Sequence, residues 1–402
     1  MPTSAAAIAI PFHQYFRETS VTTLLIDLDD TLLVNDINTF LPSYLRAFSL
    51  EVSNHLDPKK FLNALMAGTD AMVHNKRPDC TLKQAFDQKF FPLLGLEERE
   101  LQGLFNRFYE EVFPTLQGLT GKAPGAVQLV QEAVRRGWRI AVATNPLFPR
   151  TAIHQRLQWA GFSPVEDYFD LVASYETFHF TKPNLAFFAE ALARLAWPDG
   201  PVIMIGDSIK NDIRPARAFG LPAFWVQPDG AAHPPEPFGA FAVRTIQDVL
   251  PWIDQLPAEA LQPDFQGPDC MMATLLATPA ALQSMTMNLA EVQWMQKPQA
   301  KEWSLTEIIC HLRDVDIEVN LPRLKKVVLE DNPFLPGMDT DPWSEQRMYN
   351  DQDGHQALAD FTHARMKLHS LLTDLQREQW SRSARHAIFG RTHGEQIGRA
   401  HV

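Results

Sequence analysis

Cysteine is scarce in this chain of 402 residues. Cys80, Cys270 and Cys310 are the full set, far apart and in no CxxC pair. That excludes a disulfide framework and fits a reducing compartment. No run approaches 18 consecutive apolar residues, so no membrane-spanning helix is expected. Basic residues are outnumbered, 36 Lys and Arg against 48 Asp and Glu, for a formal charge of −12. Such a balance argues against nonspecific binding to nucleic acid or anionic membranes. The first dozen residues are mildly apolar over 5–10 but lack a basic stretch, so they read as a loose leader rather than a signal peptide. A cytoplasmic location is expected. The apolar fraction of 45% is ample for buried cores, and the length suits two or three domains.

Against that background, five segments stand out. They are Leu24-Leu25-Ile26-Asp27-Leu28-Asp29-Asp30-Thr31-Leu32, Ile140-Ala141-Val142-Ala143-Thr144-Asn145, Thr181-Lys182-Pro183, Ile203-Met204-Ile205-Gly206-Asp207 and Asp212. The strand-like ones end an apolar run in a polar group. This places polar groups at the carboxyl ends of buried parallel strands, where open α/β sheets bind ligands. Burying Asp27 inside a sheet is costly without partners, so it belongs at a strand's end. Alternation along an extended chain puts Asp27 and Asp29 on one side. Two carboxylates beside a phosphate dianion repel one another. At ~4 Å and an effective dielectric of ~20, each unit-charge pair costs roughly 4 kcal/mol. A divalent cation with oxygen ligands, magnesium first, answers that need. Lys182 supplies a further positive charge, and Thr144 a hydroxyl donor.

The same residues resemble the haloacid dehalogenase-like hydrolase superfamily over about residues 18–255. Asp27, Asp29 and Thr31 match its Asp-x-Asp-x-Thr motif, Thr144 its strand ending in Thr or Ser, and Lys182 its Lys opening a helix. Gly206, Asp207 and Asp212 match its Gly-Asp-x-x-x-x-Asp motif. Four motifs in order, each behind an apolar strand or helix start, carry the resemblance. It implies that Asp27 is a nucleophile forming an aspartyl-phosphate. Asp29 is implied as the acid that protonates the leaving oxygen and the base that then activates water. Asp27, the main-chain carbonyl of Asp29, and Asp207 are implied as magnesium ligands. Asp212 binds the ion directly or through water, or orients Lys182. Thr144 and Lys182 grip the phosphoryl group. Relatives that cleave carbon–halogen bonds lack the second Asp, so Asp29 favours a phosphate ester.

Neighbouring residues have plainer readings. Asp30 reads as a turn residue. Asn145 either caps a turn, positions a loop or meets substrate, and is kept as a candidate phosphate-binding residue beside Thr144 and Lys182. Pro183 suits the first turn of a helix. Ser208 either caps the next helix or touches the site.

About a hundred residues separate the first motif from the second strand. Segments 41–53, 58–66, 81–94 and 97–112 read as helices, and this insertion resembles the family's helical cap. Caps of this kind close over small substrates. Phe48, Met66, Met72, His74 and Phe86 are read as cap core or surface, not as specificity residues. Afterwards helix and strand alternate: helices over 124–136, 150–160, 184–195, 211–219 and 246–256, strands over 139–143, 171–173, 202–205 and 223–226. This implies a parallel sheet with helices on both faces.

A Pro-containing stretch at 257–268 reads as a linker. Beyond it, 270–287, 304–330 and 355–375 carry long helical patterns, with Ser304 and Glu307 as a capping box. This part, about 265–395, resembles the DinB-like four-helix bundles. The match lies in Trp303-Ser304-Leu305-Thr306-Glu307-Ile308-Ile309-Cys310-His311-Leu312-Arg313-Asp314 and in 361–375 and 386–390. The resemblance implies a divalent metal on a His such as His311, with two more from an HxxxH pair that this sequence lacks. His311 therefore reads first as a packed or surface histidine. Residues 396–402 resemble the translation of a common sequencing adapter. The natural sequence is expected to end within the bundle, leaving its fourth helix missing; resequencing the locus tests this.

The expected architecture is thus α/β. A Rossmann-like core (18–33 and 122–256) carries a helical cap (34–121), a linker (257–268) and an all-α partial bundle (269–395). The expected function is magnesium-dependent hydrolysis of a small phosphorylated metabolite. The alternatives are a phosphotransferase or phosphomutase at the same site, or a metal-binding bundle regulated by the hydrolase-like domain.

Overall fold

The computed structural model describes residues 21–227, 243–387 and 390–393. The leader, residues 228–242, whose first part is rich in Pro, Gly and Ala, and the tail at 396–402 lie outside the described residues.

The chain enters through β1 (Thr23–Ile26), then β2 (Leu33–Val34), before the cap helices α1 (Ile37–Val52), α2 (Pro58–Val73), α3 (Leu82–Leu94) and α4 (Glu98–Arg107). It returns through β3 (Gly121–Lys122). Core elements follow: α5 (Ala126–Arg135), β4 (Arg139–Val142), α6 (Arg150–Ala160), β5 (Leu171–Val172), α7 (Leu185–Arg194), β6 (Val202–Gly206), α8 (Arg214–Ala218), β7 (Ala223–Val226), β8 (Val243–Arg244) and α9 (Val249–Gln255). The last part holds α10 (Pro268–Thr286), α11 (Glu291–Met295), α12 (Leu305–Asp314), α13 (Leu321–Leu329), β9 (Phe334–Leu335), α14 (Trp343–Gln346), α15 (Gly354–Thr373), β10 (Ser383–His386) and β11 (Gly390–His393).

Six strands form one parallel sheet in the order β5-β4-β1-β6-β7-β8. All four residues of β1 are buried, as a central parallel strand covered on both faces requires. The chain builds outward from β1 to β4 and β5, then crosses back to β6. The order therefore reverses beside β1, which makes a ligand crevice at the carboxyl ends of β1, β4 and β6.

The two crossings between core and cap pair with each other, Leu33 opposite Lys122 and Val34 opposite Gly121. The cap is packed by aromatic rings. Phe48 stacks on Phe108 with centroids 3.9 Å apart, and Phe61 meets Phe48 edge-on at 4.9 Å. Phe48, Met72 and Phe86 are core residues, whereas Met66 and His74 are exposed, as the sequence reading had them. Thr81 and Gln84 form a reciprocal capping box on α3.

Helix α7 is buried from Ala186 through Leu192, seven consecutive residues and hence every face. The sheet covers one side and α10 another. Cys270, Ala273, Ala277 and Ala280 of α10 belong to the same hydrophobic core as the six-stranded sheet. The 257–268 stretch is fastened down as well. Asp264 donates its N–H to the Gly220 carbonyl at 2.8 Å, and Phe265 packs on Trp197 and Phe219. Gly220 has φ +94°, and a Cβ there would lie 1.8 Å from the Asp264 oxygen, so glycine is required. Polar bonds stitch the seam: Ser284 donates to the Thr177 carbonyl at 2.5 Å. Buried His179 pairs through Nδ1 with Glu190 at 2.8 Å, and its Nε2 lies 2.7 Å from Gln283 Oε1.

Three long helical patterns contain wide π turns that periodicity did not signal, at Phe108–Val112, Ile209–Ile213 and Val315–Asn320. The C-terminal part packs α10, α12 with α13, and α15 into a bundle opened by the Ser304–Glu307 capping box. It departs from the all-α expectation in carrying a three-stranded sheet, β11-β10-β9. Its strands of two to four residues are too short to show alternation.

Candidate active site

The site begins where β1 stops. The N–H of Asp27 donates to the Ile205 carbonyl of β6 at 2.9 Å, and that of Ala143 to Ile26 at 2.7 Å, so three adjacent strand ends are locked together. Asp27, Thr144 and Asp207 leave those ends. Lys182 comes from the segment between β5 and α7. Its Nζ donates to Asp27 Oδ1 at 2.7 Å and to Asp212 Oδ1 at 2.6 Å, with all three side chains buried. Burial opposes the lysine charge, but Asp212 and Asp27 outweigh it and hold its pKa above the ordinary lysine range. The carboxyl of Asp207 is pushed up to about 8, by burial first and then by the charges of Asp27 and Asp212.

Asp212 is fully buried in the π turn that follows β6. Its Oδ2 accepts the Ser208 N–H at 2.9 Å. Ser208 caps that turn through its hydroxyl, which accepts the Asn211 N–H at 3.2 Å. A Cβ on Gly206 would lie 2.4 Å from Asp212 Oδ2, so the Gly of the Gly-Asp pair makes room for the second acid. Ligand atoms of Asp27, Asp207 and Asp212 all lie within 4.8 Å of one another. Three clustered hard-oxygen donors with one lysine between them fit a small divalent cation such as magnesium.

The helix expected over 184–195 is α7, and Pro183 lies outside its first turn. Asn184 caps α7, its side chain accepting the Ala186 N–H at 3.0 Å, so Lys182 and Pro183 precede the helix. Asn184 supplies the side-chain acceptor that N-caps favour and that Lys182 and Pro183 lack. Lys182 is instead held by Asn145, whose Oδ1 accepts its main-chain N–H at 3.2 Å. That gives Asn145 a loop-positioning contact.

After Ile26 the chain turns, so a tight turn rather than strand alternation places Asp29. Asp30 adopts φ +51°, donates its N–H to the Leu33 carbonyl at 2.7 Å and accepts the Asn35 N–H at 2.9 Å. It is a turn residue. Asp29 Oδ1 accepts a bond from Asn35 Nδ2 at 2.7 Å and another from Arg156 Nη2. Arg156 is 2% exposed, with its guanidinium carbon 5.5 Å from the Phe40 ring centre and 5.4 Å from that of Phe148. Burial lowers its pKa to about 10, so it stays charged at neutral pH. Sequence reading named neither Asn35 nor Arg156. A signal existed for Arg156: it occupies a core position of α6, in register with buried Ile153, Leu157 and Ala160.

In the C-terminal part, His311 packs edge-on against Trp303 at 4.9 Å. Among the described residues, the three-acid cluster is the one group of His, Cys, Asp or Glu gathered closely enough to hold a metal, and His311 is not in it. The three cysteines are buried and free.

The site is thus the carboxyl edge of a parallel sheet that gathers three acids around a buried lysine, in a chain whose helices α1–α4 are inserted between β2 and β3. Comparison with known proteins gives the family. Residues 21–220 match haloacid dehalogenase-like hydrolase and residues 274–400 match the DinB superfamily. The chain thus carries a haloacid dehalogenase-like hydrolase domain followed by a DinB-superfamily domain. It is similar to the pyrimidine 5'-nucleotidase YjjG of Escherichia coli, 34% identical over 31% of this chain and 52% of that protein. It is also similar to a glyceraldehyde 3-phosphate phosphatase of Methanocaldococcus jannaschii, 29% identical over 24% of this chain and 41% of that one. The chain spans about half the length of these curated relatives. A solved phosphatase of the family from Thermococcus onnurineus aligns over 58% of this chain and 97% of its own, at 20% identity and a TM-score of 0.37. No helix among the described residues is long and apolar enough to cross a membrane.

Proposed function

We propose that the hydrolase domain cleaves a small phosphomonoester with the help of magnesium, through an aspartyl-phosphate on Asp27. The observation that supports this most is the buried Lys182 bonded to both Asp27 and Asp212, beside Asp207, at three adjacent strand ends. Asp27 attacks phosphorus as the ester P–O bond breaks. The bond from Lys182 to Oδ1 fixes the rotation of that carboxylate. Asp29 passes a proton to the departing oxygen, then takes one from the water that hydrolyses the aspartyl-phosphate. Thr144 and Lys182 donate to the phosphoryl oxygens, and Asn145 holds the Lys182 segment in place. Asp27, the Asp29 carbonyl, Asp207 and Asp212 would hold the ion, whose charge offsets the repulsion between these acids and the phosphate.

The names of the relatives choose the first substrates: nucleoside monophosphates and triose phosphates. The test is phosphate release from such a panel with magnesium, with chelator, and in Asp27→Asn. We expect activity that needs the ion and vanishes in the variant. A folded, magnesium-loaded wild type that turns over no ester refutes the reading.

A further inference from the structure

Arg156 is a charge with no outlet to solvent. A buried guanidinium costs several kcal/mol of lost hydration unless an anion answers it. Its one carboxylate contact among the described residues is Asp29. Asn35, also buried, donates to the same oxygen. Two donors, one on core helix α6 and one just after β2 at the crossing into the cap, thus converge on Oδ1. No protein donor among the described residues bonds Oδ2. The guanidinium carbon lies within 5.5 Å of the ring centres of both Phe148 and Phe40, the latter on the first cap helix, so aromatic packing helps hold it in place.

We propose that Arg156, with Asn35, is a positioning residue that clamps Oδ1 of Asp29 and so presents Oδ2 to the leaving oxygen. This rests on the phosphatase reading above. Arg156 touches no reacting atom in this scheme. It acts by denying Asp29 its other rotations, and Phe40 ties that orientation to the placement of the cap. Rotational restraint of a reacting group is a large lever, since a misplacement of about 1 Å can cost on the order of 100-fold.

The clamp has a signature that a merely structural arginine lacks. A p-nitrophenolate departs readily without a proton, whereas an alkoxide needs one. Loss of acid positioning must therefore be worst for the poorest leaving group. The experiment measures kcat/KM on p-nitrophenyl, phenyl and alkyl phosphates for the full chain, for Arg156→Met, for Arg156→Lys and for Asn35→Ala. We expect Arg156→Met to lose about 100-fold on the alkyl ester but under about 10-fold on the p-nitrophenyl ester. Most of the loss should appear in kcat, not KM. Arg156→Lys, which restores one donor and the charge, should recover part of it. If Arg156→Met does not fold, Asn35→Ala removes the second donor and should show the same tilt more weakly. Losses equal across the three esters, or no loss in any folded variant, overturn the clamp while leaving the phosphatase reading intact. A wild type inactive on all three overturns both.

Discussion

Replacing Gly206 with alanine tests how the second acid of the Gly-Asp motif is held. The new Cβ would lie 2.4 Å from Oδ2, 2.5 Å from Cγ and 2.7 Å from Cβ of Asp212. Ordinary contact between such atoms begins near 3.4 Å, so something must move by about 1 Å. Asp212 is the nearest obstacle, and it is already committed. Its Oδ1 takes the Lys182 bond at 2.6 Å, and its Oδ2 takes the Ser208 N–H at 2.9 Å. A shift of about 1 Å stretches both past the useful range of a hydrogen bond. Overpacking of this kind costs about 1–3 kcal/mol. The misplacement should lower kcat by on the order of 100-fold, because Lys182 loses one of the two acids that aim it. Thermal melting and magnesium-dependent phosphate release, measured on one preparation, read the two effects separately. Gly220→Ala is the control. There a Cβ meets the Asp264 carbonyl at 1.8 Å with φ +94°, so it should melt at least as early yet keep kcat, being remote from the acids. A Gly206→Ala protein with wild-type melting and kcat refutes the reasoning. So does one that melts early but turns over normally, since the backbone would then have yielded instead of Asp212.

Two further outcomes concern the C-terminal domain. Ser304 caps α12, accepting the Glu307 N–H at 3.2 Å while its hydroxyl donates to Asn350 at 2.6 Å, so Ser304→Ala should cost about 1–2 kcal/mol in denaturant titration. Burial lowers the pKa of His311, against the opposing pull of Asp341 and Asp314, and its Nδ1 is enclosed without a hydrogen-bond partner among the described residues. The folded state then binds fewer protons than the unfolded one below about pH 6.5, so stability is full above that pH and falls as it drops. His311→Leu should shrink the loss of melting temperature between pH 7 and pH 5, and an unchanged slope counts against this assignment.

Two of the candidate site acids were legible because each interrupts an apolar run that becomes a strand. Asp27 after β1 and Asp207 after β6 follow from the cost of burying a carboxylate mid-sheet. Helix boundaries with local chemistry, such as the Ser304–Glu307 box or the end of α6 at Gly161, were readable for the same reason: the signal lies within a few residues. Arg156 was not readable as a partner of Asp29, because they stand 127 positions apart and only the assembled fold brings them together. Asn145 was ambiguous until the Lys182 segment came to rest on it. Pro183 was read into a first helical turn because Pro there is a permissive sign, whereas the Asn184 cap is a specific bond that starts α7 after it. The C-terminal strands β9, β10 and β11 were missed because two to four residues are too few to show alternation.

Helix α10 has a consequence for how the two domains can be separated. It opens the DinB-superfamily part in sequence, yet its alanines face the hydrolase and its Gln283 and Ser284 bond the segment that leads to Lys182. A cut in the 257–268 stretch, where the sequence changes character, would therefore not release two independent proteins. The N-terminal fragment would bare one side of α7 to water, and the C-terminal fragment would carry away a wall that belongs to its neighbour. Shuffling either half onto another partner would have to move α10 twice, once with each.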